Sequence, residues 1–176
     1  AWAGTPLQAL QEAALENNLY LPIDLGARGS CTIGGNIATN AGGTEVIRFG
    51  MTRSSVLGLE AVLADGTVVS AMNRMIKNNS GYDLKHLFIG TEGTLGVVSR
   101  VVLQLQPRPI STHTALCALK DYGSVISVLN NLKLRLGGGL TGFELMWANY
   151  FDGVIEMIPH LKNPFSREHP FYLLLE

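Results

Sequence analysis

The sequence predicts an α+β fold: a glycine-rich first part, then a shorter part in which strands and helices alternate. Three observations carry that prediction. Apolar and polar residues alternate at period two over residues 56–63 and 96–106, as strands with one covered face require. Val125, Val128, Leu129, Leu132 and Leu136 recur instead at helical spacing. Between the first predicted helix and the first long strand, five glycines fall within residues 28–43, and no large side chain follows Arg28 in the run Gly-Ser-Cys-Thr-Ile-Gly-Gly-Asn-Ile-Ala-Thr-Asn-Ala-Gly-Gly.

Composition bounds the answer. With 47% apolar and 15% charged residues, 176 residues can bury a sizeable core, which excludes a disordered chain. A net charge of −1 with Lys and Arg scattered gives no footprint for nucleic acid or an acidic membrane surface. Cys31 and Cys117 are too few and too distant for a disulfide framework or a zinc motif, so a reducing compartment is expected. No apolar run reaches the ~18 residues of a membrane span. The chain opens without an initiator Met and closes on an apolar, strand-like run, so it is expected to be part of something longer.

Taken in order, Thr5-Pro6-Leu7-Gln8 predicts a helix start, with Thr5 as N-cap, Pro6 at the first helical position and Gln8 closing a capping box. Leu7, Leu10, Ala14 and Leu15 form its apolar stripe, and Asn17-Asn18 suit its last turn. Leu19-Tyr20-Leu21 reads as a short extended segment stopped by Pro22, and residues 24–30 as loop. Leu57, Leu59, Ala61 and Leu63 share one face of a strand, Asp65-Gly66 turns it, and residues 67–71 return as a hairpin. Residues 78–81 form another turn, and residues 82–88 one or two helical turns with Leu84, Leu87 and Phe88 inward. The strand over residues 96–106 has Val101, Leu103 and Leu105 on its dry face and ends at Pro107-Arg108-Pro109, because proline cannot continue a ladder.

A domain boundary is placed at that Pro-Arg-Pro, giving domains 1–107 and 108–176. The second reads as strand (112–119), helix (stopped by Gly137-Gly138-Gly139), strand (143–146), helix (150–158, ended by Pro159) and strand (171–175).

Two stretches carry whatever chemistry the chain has. In residues 28–43 glycine permits close approach and φ > 0, and clustered amides, in a turn or at the helix start after it, suit an anionic oxygen. Thr39 and Asn40 add a hydroxyl and an amide. A tight turn between packed elements is the competing reading; the length of the small-residue run favours a ligand cradle. In residues 90–98 glycine recurs at every third position and leads into a strand, offering main-chain groups to a flat heterocycle with Val97 and Val98 as apolar contacts. Neither stretch is a G-x-G-x-x-G dinucleotide fingerprint or a P-loop, which argues against a nicotinamide Rossmann domain and a Walker NTPase.

Several single residues have two readings each. Glu92 can accept from a cofactor or from local amides. Arg28 can face a diphosphate or solvent. Cys31 can contact a ligand or simply fill space. Tyr82, Trp147 and Tyr150 read as core or interface aromatics, and Asp65 as a turn former.

The ordered set 24–30 (Asp-Leu-Gly-Ala-Arg-Gly-Ser), 33–43, 58–67, 81–84 (Gly-Tyr-Asp-Leu) and 90–98 resembles the FAD-linked oxidases of the vanillyl-alcohol-oxidase and p-cresol-methylhydroxylase (PCMH) type. Within that group it is most similar to the D-lactate, glycolate and D-2-hydroxyglutarate dehydrogenase branch, most closely over residues 22–107. The resemblance implies that residues 1–107 are the second half of a PCMH-type FAD-binding domain, and that residues 108–176 open a ferredoxin-like α+β cap domain. By motif, Asp24, Gly26, Gly29 and Ser30, then Ile33, Gly34, Gly35 and Asn36, then Thr39, Asn40, Ala41, Gly42 and Gly43 would line the flavin and its diphosphate. Glu92, Gly93, Gly96, Val97 and Val98 would hold the adenosine part. The implied reaction is hydride transfer from Cα of a 2-hydroxy acid to flavin N5. Electrons would pass to a quinone, a cytochrome or an electron-transfer flavoprotein, not to NAD.

The resemblance also implies that an earlier glycine-rich diphosphate loop and a later metal-binding histidine motif lie outside this chain. His86, His113, His160 and His169 form neither H-x-H nor H-x-x-x-H, so no catalytic residue and no metal ligand is assigned here. The expected setting is cytoplasmic, or the mitochondrial matrix in a eukaryote, with a homodimer possible. The alternative class is a non-catalytic α+β binding or scaffold module whose glycine loops only shape turns.

Overall fold

Leu7, Leu10 and Ala14 recur every three or four residues, and the computed structural model, which describes residues 1–176, places them on helix α1 (Leu7–Glu16). Leu7 and Ala14 are buried, whereas Leu15 lies at the surface. The predicted capping box is absent. Pro6 is the N-cap and no side chain caps the helix. The first amides instead reach across to the 28–31 turn, Leu7 N donating to the Cys31 carbonyl (2.9 Å) and Gln8 N to the Arg28 carbonyl (3.0 Å). A tertiary acceptor has replaced the local one, and the Gln8 side chain is free to donate to Glu12 (2.8 Å).

After α1 come β1 (Leu19–Tyr20), α2 (Ile33–Ala38), α3 (Val46–Phe49) and a 3₁₀ turn at Thr52–Ser55. Then follow β2 (Val56–Val62), β3 (Val68–Ala71), α4 (Lys85–Phe88), β4 (Val97–Leu103) and β5 (Gln106–Pro107). The main sheet has the order β3-β2-β4, antiparallel throughout. The β2–β3 hairpin turns at Gly66 (φ +86°), with Asp65 Oδ1 accepting from Thr67 N at 2.9 Å. Leu59, Ala61 and Val101 share one core with Leu7, Ile33, Ile37 and Phe88.

As the middle strand, β2 is covered on both faces rather than one. Glu60 is therefore buried, and it sits directly opposite Arg100 on β4. Arg100 Nε donates to Glu60 Oε1 at 2.8 Å, its Nη2 to Oε2, and Ser99 Oγ to Oε1 at 2.8 Å. Trp2 lies against the Arg100 guanidinium, 5.6 Å from ring centroid to Cζ. Residues 1–3 cover the outer edge of β4, Ala3 N donating to Ser99 O (2.9 Å) and Val101 N to Ala1 O (3.0 Å).

Two expectations in this part are corrected. Pro107 does not stand outside the ladder: it pairs with Leu19 on a two-residue edge strand, where a missing donor costs nothing, and Arg108 N donates to Asn18 O at 3.3 Å. On the 82–88 segment only Phe88 faces the core; Leu84 and Leu87 are exposed because a single helical turn buries one side only.

The chain divides into two compact units, Ala1–Ile110 and Ser111–Glu176. The second holds β6 (Ala115–Leu119), α5 (Tyr122–Leu136), β7 (Phe143–Trp147), α6 (Ala148–Met157) and β8 (Phe171–Leu175), with sheet order β6-β8-β7, antiparallel. Asp121 caps α5 by accepting from Ser124 N (2.6 Å), and Gly137 ends it at φ +55°. Phe151 of α6 stacks on the fully buried Tyr172 with ring centroids 3.8 Å apart. Tyr82, Trp147 and Tyr150 are exposed, so none is a core aromatic.

The bonds from Arg100, reinforced by Ser99, hold the Glu60 carboxyl down from its ordinary 4.5 to about 2. A depressed carboxylate stabilises the fold above the unfolded-state value and loses that contribution as pH falls from about 4.5 to about 2. Urea titrations across this window should therefore show a drop in stability that Glu60→Gln flattens; an unchanged slope would mean the pair is not formed in solution. Residues 107–115 are exposed, so a low-specificity protease should nick the 109–114 stretch first and leave both units intact. Initial cleavage inside β4 would contradict this division.

Candidate cofactor site

The glycine-rich stretch becomes a helix with both ends tied down. Thr32 Oγ1 accepts from Gly35 N (3.3 Å), Ile33 N donates to Thr5 O (3.0 Å), Gly34 N to Ala3 O (2.8 Å) and Asn36 N to Thr32 O (3.0 Å). The N-terminus of α2 thus spends its amides on protein acceptors, which corrects the expectation of an anion seat at the helix start. The C-terminal end is equally occupied. Ile37 O accepts from Asn40 N and Gly90 N (3.0 Å each), Asn36 O from Ala41 N (2.8 Å) and Ala38 O from Glu92 N (2.9 Å). The two predicted stretches are therefore brought together: the 90–92 loop hangs from the last carbonyls of α2.

The reason for glycine also differs from the expected one. None of Gly34, Gly35, Gly42 or Gly43 has positive φ. A Cβ on Gly34 would sit 2.7 Å from Ala3 Cβ, one on Gly42 2.5 Å from Met51 Sδ, and one on Gly43 1.6 Å from the Asp24 carbonyl oxygen. Close packing of the chain on itself selects those three. Gly35 is different: it is exposed, and its added Cβ would meet only Thr32 Oγ1 at 3.4 Å. Left-handed backbone appears elsewhere, at Asn40 (φ +47°), Gly90 (+86°), Glu92 (+54°) and Gly93 (+81°), all around the junction of the two loops.

The remaining predicted residues fall into two sets. Ile33 is fully buried in the core, Gly96 is buried with Val62 O 2.9 Å from its would-be Cβ, and Val98 packs against the core. They build the wall rather than its surface. Gly26, Gly29, Ser30, Thr39, Gly42, Glu92, Gly93 and Val97 are exposed, with Asp24, Asn40, Ala41 and Gly43 half-buried. Asp24 is paired with Arg28 at 2.8 Å, which answers the question about that arginine. Thr39 Oγ1 donates to Gly35 O at 3.0 Å.

Sequence reading missed Thr52 and Arg53. Thr52 N and Oγ1 both donate to Ala41 O (2.9 and 2.7 Å), and Arg53 N donates to Asn40 Oδ1 (3.0 Å). Nothing local in Met-Thr-Arg-Ser marks them; their roles arise from contacts across 11 and 13 residues. Arg53 continues to His86, its Nη1 donating to His86 O at 2.9 Å and lying 3.1 Å from His86 Nδ1. Burial, then the neighbouring Lys85 charge, hold His86 below the ordinary histidine range.

The Asn36 side chain lacks a partner for its amide nitrogen. Asn36 is 4% exposed, and its Nδ2 is buried without any acceptor. Buried amide donors are almost always bonded. The backbone amides of Gly42 and Gly43 likewise donate to no protein acceptor. A half-buried wall with unspent donors on α2 and the loop after it fits a bound group rich in acceptors, such as a flavin with its diphosphate.

Comparison with known proteins agrees. Residues 1–72 match the FAD binding domain family. Over 174 residues, 99% of the chain, the sequence is 45% identical to the mitochondrial D-2-hydroxyglutarate dehydrogenases of Arabidopsis thaliana and of Rattus norvegicus. The chain spans about a third of the length of these relatives, 31% and 32%. Alkyldihydroxyacetonephosphate synthase superposes with a TM-score of 0.78 over 99% of this chain and 34% of its own, at 16% identity. The chain's first 72 residues carry the pattern of that FAD binding domain, and its fold is that of the synthase. FAD is the cofactor of the matched domain. No helix of the chain is long and apolar enough to cross a membrane.

The glycine geometry can be tested without any ligand. Gly43→Ala must displace the Asp24 carbonyl and should cost about 1–3 kcal/mol or more in urea unfolding. Gly35→Ala should be neutral or gain up to ~1 kcal/mol, as alanine replaces glycine in an exposed helical position. Equal costs at the two positions would show that the packing described for Gly43 is wrong.

Proposed function

We propose that the chain forms part of an FAD-dependent dehydrogenase that oxidises a small D-2-hydroxy acid, of the D-2-hydroxyglutarate, D-lactate or glycolate type, to the 2-oxo acid. The observation that carries this reading is the 45% identity, sustained over 99% of the chain, to proteins named as D-2-hydroxyglutarate dehydrogenases. When bound, FAD supplies the hydride acceptor at N5.

This chain's residues hold and orient. Asn36 Nδ2 and the amides of Gly42 and Gly43 donate to acceptor atoms of the flavin and diphosphate. The Glu92 carboxylate accepts from the adenosine part, and the exposed Val97 gives it an apolar surface. Thr39, Asn40 and Ala41 set the edge of the cradle, and Asp24, Gly26, Gly29 and Ser30 its rim. Ile33, Gly34, Gly96 and Val98 act from behind, by packing. Residues 1–107 form the C-terminal part of the FAD-binding domain, and residues 108–176 begin the cap domain over the substrate. The acceptor is a quinone, a cytochrome or an electron-transfer flavoprotein, and the mitochondrial relatives favour a matrix setting. The unpartnered Asn36 donor speaks against a scaffold module, which would have no reason to keep one.

The full-length protein should purify yellow, and anaerobic D-2-hydroxyglutarate or D-lactate should bleach its flavin absorbance. A colourless protein that cannot be reconstituted with FAD would reject the reading in favour of a scaffold. Asn36→Leu should raise the FAD dissociation constant about tenfold, the worth of one hydrogen bond of ~1.4 kcal/mol. The 176-residue chain alone offers only part of the donor set, and each missing charge-assisted bond forfeits about 1.5–3 kcal/mol. Submicromolar FAD binding by it would show that the donors named here suffice.

A further inference from the structure

We infer that Arg53 is a positioning residue for the cofactor site, clamping its two loops at a fixed separation; this rests on the reading of residues 39–43 and 90–98 as FAD contacts. Its backbone N–H holds the first loop through Asn40 Oδ1 (3.0 Å), at a left-handed residue whose conformation needs support. Its guanidinium holds the second. Nη1 donates to the His86 carbonyl at 2.9 Å and Nη2 to the Ile89 carbonyl, where α4 ends and the chain turns into Gly90. The last carbonyls of a helix have no partner within it, and here one planar fork supplies two of them.

Spacing makes the clamp specific. A Cβ on Gly90 would lie 3.4 Å from Asn40 Cβ and 3.7 Å from Arg53 Nη2, so Arg53 stands at the seam where the loops meet. The adjacent amides of Gly90 and Glu92 fix only the backbone of the second loop to α2. The direction in which Glu92 faces then depends on where α4 stops, and that is what the guanidinium sets. Lysine cannot replace it: an ammonium on a flexible stem reaches one carbonyl at a time and cannot hold both in one plane.

The test uses the full-length protein. Arg53→Met should raise the FAD dissociation constant at least tenfold. At saturating FAD it should also change the visible circular dichroism of the bound flavin, which reports ring environment and which a general loss of stability would not alter. Arg53→Lys should fail to restore either property, while Arg135→Met, a surface charge deletion on α5, should leave both at wild-type values. Wild-type affinity and dichroism in both Arg53 variants would overturn the assignment. So would apo-proteins of both variants that do not fold, since Arg53 would then be a residue of the fold alone. Rescue by lysine would also overturn it, reducing the clamp to a charge effect. Failure of the wild-type protein itself to take up FAD would instead reject the functional reading on which the clamp rests.

Discussion

A six-residue helix cannot hold itself in water, and α2 persists because every backbone group at its ends is claimed by another part of the chain. Its amides go to Thr5, Ala3 and Thr32, and its carbonyls receive Asn40, Ala41, Gly90 and Glu92. Glycine at 34 lets the Ala3 backbone approach closely enough for this. The main sheet supplies the floor: Leu59, Ala61 and Val101 pack with Ile33 and Ile37 in one core. The loops of the candidate site are thus extensions of α2's own hydrogen bonding. Their geometry is as firm as the core beneath them.

That arrangement explains which parts of the molecule the sequence discloses. Where structure is made by neighbours along the chain, it is legible. Asp65-Gly66 closes a hairpin, and Val125 to Leu136 keep helical spacing. The order of elements after residue 111 reads almost directly. Where a distant partner decides, local signals mislead. Thr5-Pro6-Leu7-Gln8 has the letters of a capping box, yet Cys31 and Arg28 take the amides. Gly-Gly inside Ile33–Ala38 argues against a helix by propensity, yet tertiary bonds impose one.

The candidate site shows the same division at the level of side chains. Motif reading placed residues 24–43 and 90–98 on one site, and the hydrogen bonds from Gly90 and Glu92 to α2 join them. It did not separate side chains that face outward, such as Glu92 and Val97, from those that build the wall, such as Ile33 and Val98. That distinction depends on which way each residue turns about the backbone, information carried by packing. Arg53 lay outside every motif because its partners are up to 36 residues away.

The strand order of the second unit has a consequence for biosynthesis. β8 lies between β6 and β7, so the middle strand follows both of its neighbours in the sequence. Until residues 171–175 emerge from the ribosome, β6 and β7 have no common partner, and Tyr172 and Leu173 are missing from the core that α5 and α6 must cover. The nascent unit therefore waits with two open strand edges and an uncovered apolar face, a state prone to aggregation. That five-residue segment then zips both neighbours at once.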